Sequence, residues 1–151
     1  MEMKDFNKEF VERTREMVEQ LSSGKCKYEM TLLINCMLAL VSLPTEETGN
    51  TGDDETFKRE IIAELNRLGV VEKYTNDDKL FRTVKNALSH MYIEVENKNG
   101  EINEIFFCDK KDRDAHHYHT KLKFNTQQLK EFALFVAEKH LERLSTNREF
   151  R

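Results

Sequence analysis

Hydrophobic period changes at His90, and that change limits what this chain can fold into. Before it, Leu80, Phe81, Val84, Ala87 and Leu88 recur at helical spacing, with Asp77 or Asp78 placed to cap the segment. After it, Ile93 and Val95 alternate with Glu94 and Glu96, Asn99-Gly100 supplies a hairpin turn, and Ile102 to Cys108 runs back. A third extended piece, Lys121 to Phe124, alternates Lys121 and Lys123 with Leu122 and Phe124. Helical patterns lie on both sides of this short β region.

The first helical segment spans Phe6 to Leu21, with Phe6, Phe10, Met17, Val18 and Leu21 on one face and Gly24 as its stop. The charges between them, Lys8, Glu9, Glu12, Arg13, Arg15 and Glu16, form its wet side. From Tyr28 to Leu43 the helix is apolar on every side, which suits the centre of a bundle or an oligomer interface, and Pro44 ends it. Asn35 interrupts that run. A buried amide needs partners, so Asn35 is either a satisfied core amide or an amide that faces a site.

Residues 45–55 carry no apolar side chain and read as a loop. A third helix runs from about Thr56 to Leu68 on a stripe of Phe57, Ile61, Ile62, Leu65 and Leu68, with Gly69 as its stop. Asn125 and Gln128 form a capping pair for the last helix, whose face is Leu129, Phe132, Ala133, Val136, Leu141 and Leu144. The polar tail beyond Ser145 is expected to fray. No repeat or linker divides the chain, so residues 1–151 are expected to form one domain. It is mainly α: a four- to five-helix up-and-down bundle with a β-hairpin or three-stranded insert before the last helix.

Composition narrows the function classes. At 151 residues the chain can bury a core without staples, and one proline and five glycines favour long regular elements. A net charge of −4 gives no global attraction for nucleic acid or anionic lipid, so an RNA surface would be a local one. No apolar run is long enough to span a bilayer, and the first residues lack a signal-peptide layout. Three cysteines (Cys26, Cys36, Cys108), without metal-knuckle spacing, fit buried thiols in a reducing, cytoplasmic setting.

The end of the fourth helix, Lys85-Asn86-Ala87-Leu88-Ser89-His90, gathers a cation, an amide and a histidine. Asn86 and His90 are four apart and share a face, whereas Lys85 lies about 140° round from His90 and reaches it through its long stem. The negative end of the helix dipole favours positive charge there, and imidazole is the side chain that exchanges protons near neutral pH. This set could handle a phosphodiester with no metal or cofactor. On the bland reading these are wet-side residues, with His90 serving as a cap.

The hexapeptide resembles the Arg-Asn-x-x-x-His signature of HEPN domains. The helix Tyr28-Glu29-Met30-Thr31-Leu32-Leu33-Ile34-Asn35-Cys36, ending at Leu43-Pro44, is similar to that of a plasmid-associated HEPN nuclease family. The hairpin after His90 and the Phe124-Asn125-x-x-x-Leu129 start of the last helix fit the same family. The likeness therefore covers nearly the whole chain. It implies a helical bundle that homodimerises, joining two copies of the motif in one cleft. It also implies a metal-independent endoribonuclease, a toxin or defence protein, in which the ribose 2′-hydroxyl attacks the adjacent phosphate. Carried over, His90 is the acid/base, Lys85 the cation on the transition state and Asn86 the positioning amide.

Asn35, Ser89 and Tyr92 are the further candidate binding residues. In some toxins of this superfamily a tyrosine two places after the histidine is nucleotidylated by a partner antitoxin, the position Tyr92 holds; packing on the bundle is its bland role. The departure from the pattern is Lys85, a point charge where the family has the planar arginine fork. The alternative is a non-catalytic HEPN module that binds RNA, a nucleotide or a protein partner.

A second cluster is Asp114-Ala115-His116-His117-Tyr118-His119. In an extended strand His117 and His119 share a face and could hold a divalent metal, but no further ligand completes a site, and a solvated loop is the expectation. Lys110, Lys111, Arg113, Lys121 and Lys123 make this the most basic region, diluted by Asp109, Asp112 and Asp114. Phe132 and Phe135 are expected in the core or a dimer interface.

Overall fold

The computed structural model describes residues 3–20, 31–37, 52–98, 101–109 and 119–149. The elements are α1 (Met3–Gln20), α2 (31–37), α3 (Gly52–Leu68), β1 (Val71–Lys73), α4 (Asp77–His90), β2 (Ile93–Lys98), β3 (Glu101–Cys108), β4 (Lys121–Asn125) and α5 (Thr126–Glu149). The Gly24 stop, Cys26, the Leu43-Pro44 terminus, the Asn99-Gly100 turn and the 110–118 segment with His116 and His117 lie outside the described residues.

The fold is mainly helical with one antiparallel sheet of four strands in the order β1-β4-β3-β2. The sheet is larger than the expected two or three strands, because Val71–Lys73 adds an edge strand before α4. Val71 pairs with Leu122, and the Lys123 amide donates to the Val70 carbonyl at 2.8 Å. Three residues cannot display an alternation, so the strand exists through its partner. All four strands precede the last helix as expected, one of them before α4 and three between α4 and α5.

Alternation along β2, β3 and β4 sends one set of side chains inward. Ile93 faces Phe107 and Val95, which stays 44% exposed at the sheet edge, faces Ile105, while Phe107 and Ile105 face Leu122 and Phe124 on β4. The Phe107 and Phe124 rings are 5.0 Å apart, and Phe124 stacks at 5.7 Å on Phe132 of α5. This aromatic file joins the sheet to α5. Each buried ring removes enough apolar surface from water to contribute roughly 2–3 kcal/mol.

Helix α5 also packs along α1 and α3, and α3 along α4. Its start is fixed by a reciprocal capping box: Asn125 Oδ1 accepts from the Gln128 amide at 2.8 Å, and Gln128 Oε1 accepts from the Asn125 amide at 3.0 Å. The same Gln128 donates from Nε2 to the Leu68 carbonyl at the end of α3, where Gly69 takes φ +70° and stops that helix. The Asn125–Gln128 and Gly69 expectations agree with these contacts. Helix α5 continues past Ser145 to Glu149, further than a tail fraying at that residue.

Other expectations are corrected. Helix α3 begins at Gly52, before the first apolar residue of its stripe, Phe57. The α4 cap is Asn76, not Asp77 or Asp78: Asn76 Oδ1 accepts from the Lys79 amide at 2.9 Å. On α1 Val18 is buried as expected, but Val11 and Thr14 complete the buried line and Met17 is 54% exposed. On α2 the run is not sealed on every side, since Leu33, Cys36 and Met37 are buried while Leu32 and Asn35 are exposed. His140, passed over in the α5 pattern, is buried and stacked on Phe57 at 4.9 Å. Cys36 and Cys108 are both buried, and burial raises the Cys36 thiol above its ordinary pKa.

Candidate functional site

Helix α4 carries its apolar face inward through Leu80, Thr83, Val84, Ala87 and Leu88. Burial of that face turns the other outward, so Arg82, Ser89 and His90 are exposed and Lys85 and Asn86 half-buried. Asn86 and His90, one turn apart, lie side by side on the polar surface. Lys85 sits round the helix toward Phe81, with its ammonium 5.9 Å from the centre of that ring. This is the outer limit of a cation–π contact, which leaves the amine reorientable. Among the described residues, no hydrogen bond or ion pair holds the side chains of Lys85, Asn86, Ser89 or His90.

The backbone after His90 makes a tight exit. Met91 adopts the left-handed conformation, φ 58° and ψ 40°, and its amide donates to the Ala87 carbonyl. The Tyr92 amide donates to that same carbonyl at 3.1 Å, and the Tyr92 carbonyl accepts from the Cys108 amide at 3.0 Å. Tyr92 is thus pinned between the end of α4 and the end of β3. Its ring packs against the core on one side and lies 5.5 Å from the His90 imidazole, tilted by 35°. The expected packing role of Tyr92 is present, and with it a fixed wall beside His90.

Not every candidate joins this group. Asn35 is exposed on α2, so it is not the core amide that its apolar neighbours suggested. His119 is exposed; its amide donates to Asp109 Oδ2 at 3.3 Å, and its carbonyl accepts from Thr75 Oγ1 at 3.1 Å. These bonds anchor the segment entering β4. Among the described residues no three His, Cys, Asp or Glu side chains cluster as metal ligands. On β4, Lys121 lies over Phe106 at 4.4 Å and Lys123 pairs with Glu104 at 3.4 Å, which commits part of the basic region to the sheet surface. Phe132 is fully buried, and Phe135 is half-buried against the core.

The sequence matches the HEPN pEK499 p136 family over residues 1–147. The chain belongs to that family. No curated protein and no solved structure gives a match. Membership in this HEPN family points to a nuclease or nucleotide-binding module, and HEPN domains commonly dimerise. Among the described residues no helix is long and apolar enough to cross a membrane.

Arg82 is a residue that sequence reading passed over on this face. It precedes Asn86 by four and His90 by eight, a spacing visible in the sequence outside the hexapeptide.

Proposed function

We infer that this HEPN protein is a metal-independent endoribonuclease acting as a homodimer, with two copies of the α4 motif facing one cleft. The observation that carries the reading is the pairing of an open, polar His90 with the pinned Tyr92 ring at the end of α4. A histidine in that position is accessible to a phosphodiester and limited in how it can turn.

In the proposed reaction an imidazole takes the proton of a ribose 2′-hydroxyl. The 2′-oxygen forms a bond to the adjacent phosphorus while the bond from phosphorus to the 5′-oxygen breaks. The departing oxygen receives a proton from an imidazolium, and the two His90 side chains of the dimer divide the base and acid roles. The products are a 2′,3′-cyclic phosphate and a 5′-hydroxyl. The Lys85 ammonium moves off Phe81 to offset charge on the pentavalent transition state, and Asn86 donates to a non-bridging oxygen. Lysine provides charge without the bidentate fork of arginine, so turnover is slow.

One observation favours a second reading, a module that binds RNA or a nucleotide without cutting it. Lys85 stands where the family signature has arginine and lies over Phe81, turned away from the His90 row. The two readings part in a cleavage assay on the purified full chain in EDTA. The nuclease reading expects RNA cleavage that falls at least about 100-fold in His90→Ala and rises in Lys85→Arg. Intact RNA with both the parent protein and Lys85→Arg, at high protein concentration, rejects it in favour of the binding module.

A further inference from the structure

A helix that reads a phosphodiester chain should present its polar groups along a line, not at one point. On α4, Arg82, Asn86 and His90 fall on a single i, i+4, i+8 row of the solvent-facing surface. Arg82 lies about 80° from His90 around the axis, closer than the 140° of Lys85, but about 12 Å away along it. Side chains on a helix lean toward its N-terminus, so Arg82 reaches away from His90 and not toward it. It is therefore too far to share the phosphate that His90 handles, and well placed for the next part of the same strand.

The carboxylate one turn before Arg82 is already engaged. Asp78, one turn before Arg82, is ion-paired with Lys58 of α3, and Asp77 accepts the Tyr74 hydroxyl. Lys79, three residues before Arg82, is exposed on the same side of the helix as the row, whereas Lys85 lies off it toward Phe81. Among the described residues no hydrogen bond or ion pair occupies the Arg82 guanidinium. On a chain of net charge −4, the row offers an uncommitted guanidinium in line with the amide of Asn86 and the imidazole of His90.

We propose that Arg82 is a binding residue of the site: its guanidinium holds a neighbouring phosphate of single-stranded RNA, upstream or downstream of the one at His90. The planar fork absent at Lys85 is thus supplied one turn earlier on the helix, for binding. This rests on the RNA reading above, and its test separates the two. Arg82 contributes affinity and its salt dependence, while His90 contributes bond cleavage.

The experiment measures binding of a fluorescein-labelled single-stranded RNA by anisotropy across a KCl series, in the full-length His90→Ala background so that no RNA is cut. Adding Arg82→Gln, which keeps the stem and removes the charge, is expected to lower affinity about tenfold, the loss of one charge-assisted hydrogen-bonded contact. It is also expected to flatten the slope of log K against log salt by about 0.7, one phosphate fewer. Arg82→Lys restores the slope and only part of the affinity. Arg59→Ala, an exposed arginine of α3, is expected to leave the slope unchanged. Binding by His90→Ala with a slope unmoved by Arg82→Gln, or moved equally by Arg59→Ala, overturns the Arg82 assignment and leaves the RNA reading standing. Absence of RNA binding by His90→Ala overturns both.

Discussion

The imidazole of His90 and the ring of Tyr92 lie 5.5 Å apart across Met91, a non-glycine residue held in the left-handed region. That one residue turns the chain from α4 into β2 and sets the two rings against each other. A left-handed non-glycine residue costs about 1–2 kcal/mol, offset here by the two amides that converge on the Ala87 carbonyl.

Met91 is 58% exposed, so replacing it removes little packing and isolates the backbone effect. Met91→Gly is predicted to keep stability or raise it by up to about 1 kcal/mol, and Met91→Val to lower it by about 1–2 kcal/mol, in urea unfolding. If Met91→Val unfolds at the parent midpoint, the turn is not strained as described.

The capping box at α5 couples to the end of α3 through Gln128. Asn125→Ala is predicted to cost about 1 kcal/mol, the ordinary value for a lost N-cap. Gln128→Ala should cost more, because it also releases the Leu68 carbonyl. Thermal melts of both variants rank them; equal losses would mean the Leu68 bond contributes nothing.

Phe124 bridges Phe107 of the sheet and Phe132 of α5 and has no exposed surface. Phe124→Ala is predicted to lose about 3–5 kcal/mol through the cavity it leaves. Chemical denaturation measures this directly. A loss under 1 kcal/mol would place Phe124 outside the core.

The Cys36 thiol is pushed above its ordinary value of 9.0 by burial. The unfolded chain therefore releases this proton first as pH rises. The stabilising contribution is complete below the unfolded value and is lost as pH climbs through the higher folded value. Stability should fall above about pH 9, less steeply in Cys36→Ala, and the native thiol should react slowly with an aromatic disulfide reagent. Fast reaction of Cys36 in the folded protein would contradict its burial.

Much of the fold was readable where local chemistry and tertiary packing agree. Asn125 with Gln128, Gly69 after Leu68, and the alternation of Ile93 and Val95 each specify their element from within a few residues. Sequence reading missed what long-range pairing decides. Val71–Lys73 becomes a strand only because β4 lies beside it, and the first turn of α3 has no apolar residue to signal it. Met17 carries the right type for a buried face, yet Val11 and Thr14 join Val18 there instead. For the site, the hexapeptide located the open end of α4. Its position relative to Tyr92 depended on a left-handed methionine that no glycine announced, and the row running back to Arg82 emerged only once the wet face was fixed.

The most direct test of the proposed chemistry is the identity of the ends left on cut RNA. Purified full-length protein and Lys85→Arg, incubated in EDTA with a defined single-stranded RNA, are predicted to release fragments ending in a 2′,3′-cyclic phosphate and beginning with a 5′-hydroxyl, seen by mass spectrometry. His90→Ala should release none. Fragments with a 5′-phosphate, or the same products from His90→Ala, would contradict 2′-hydroxyl attack at His90.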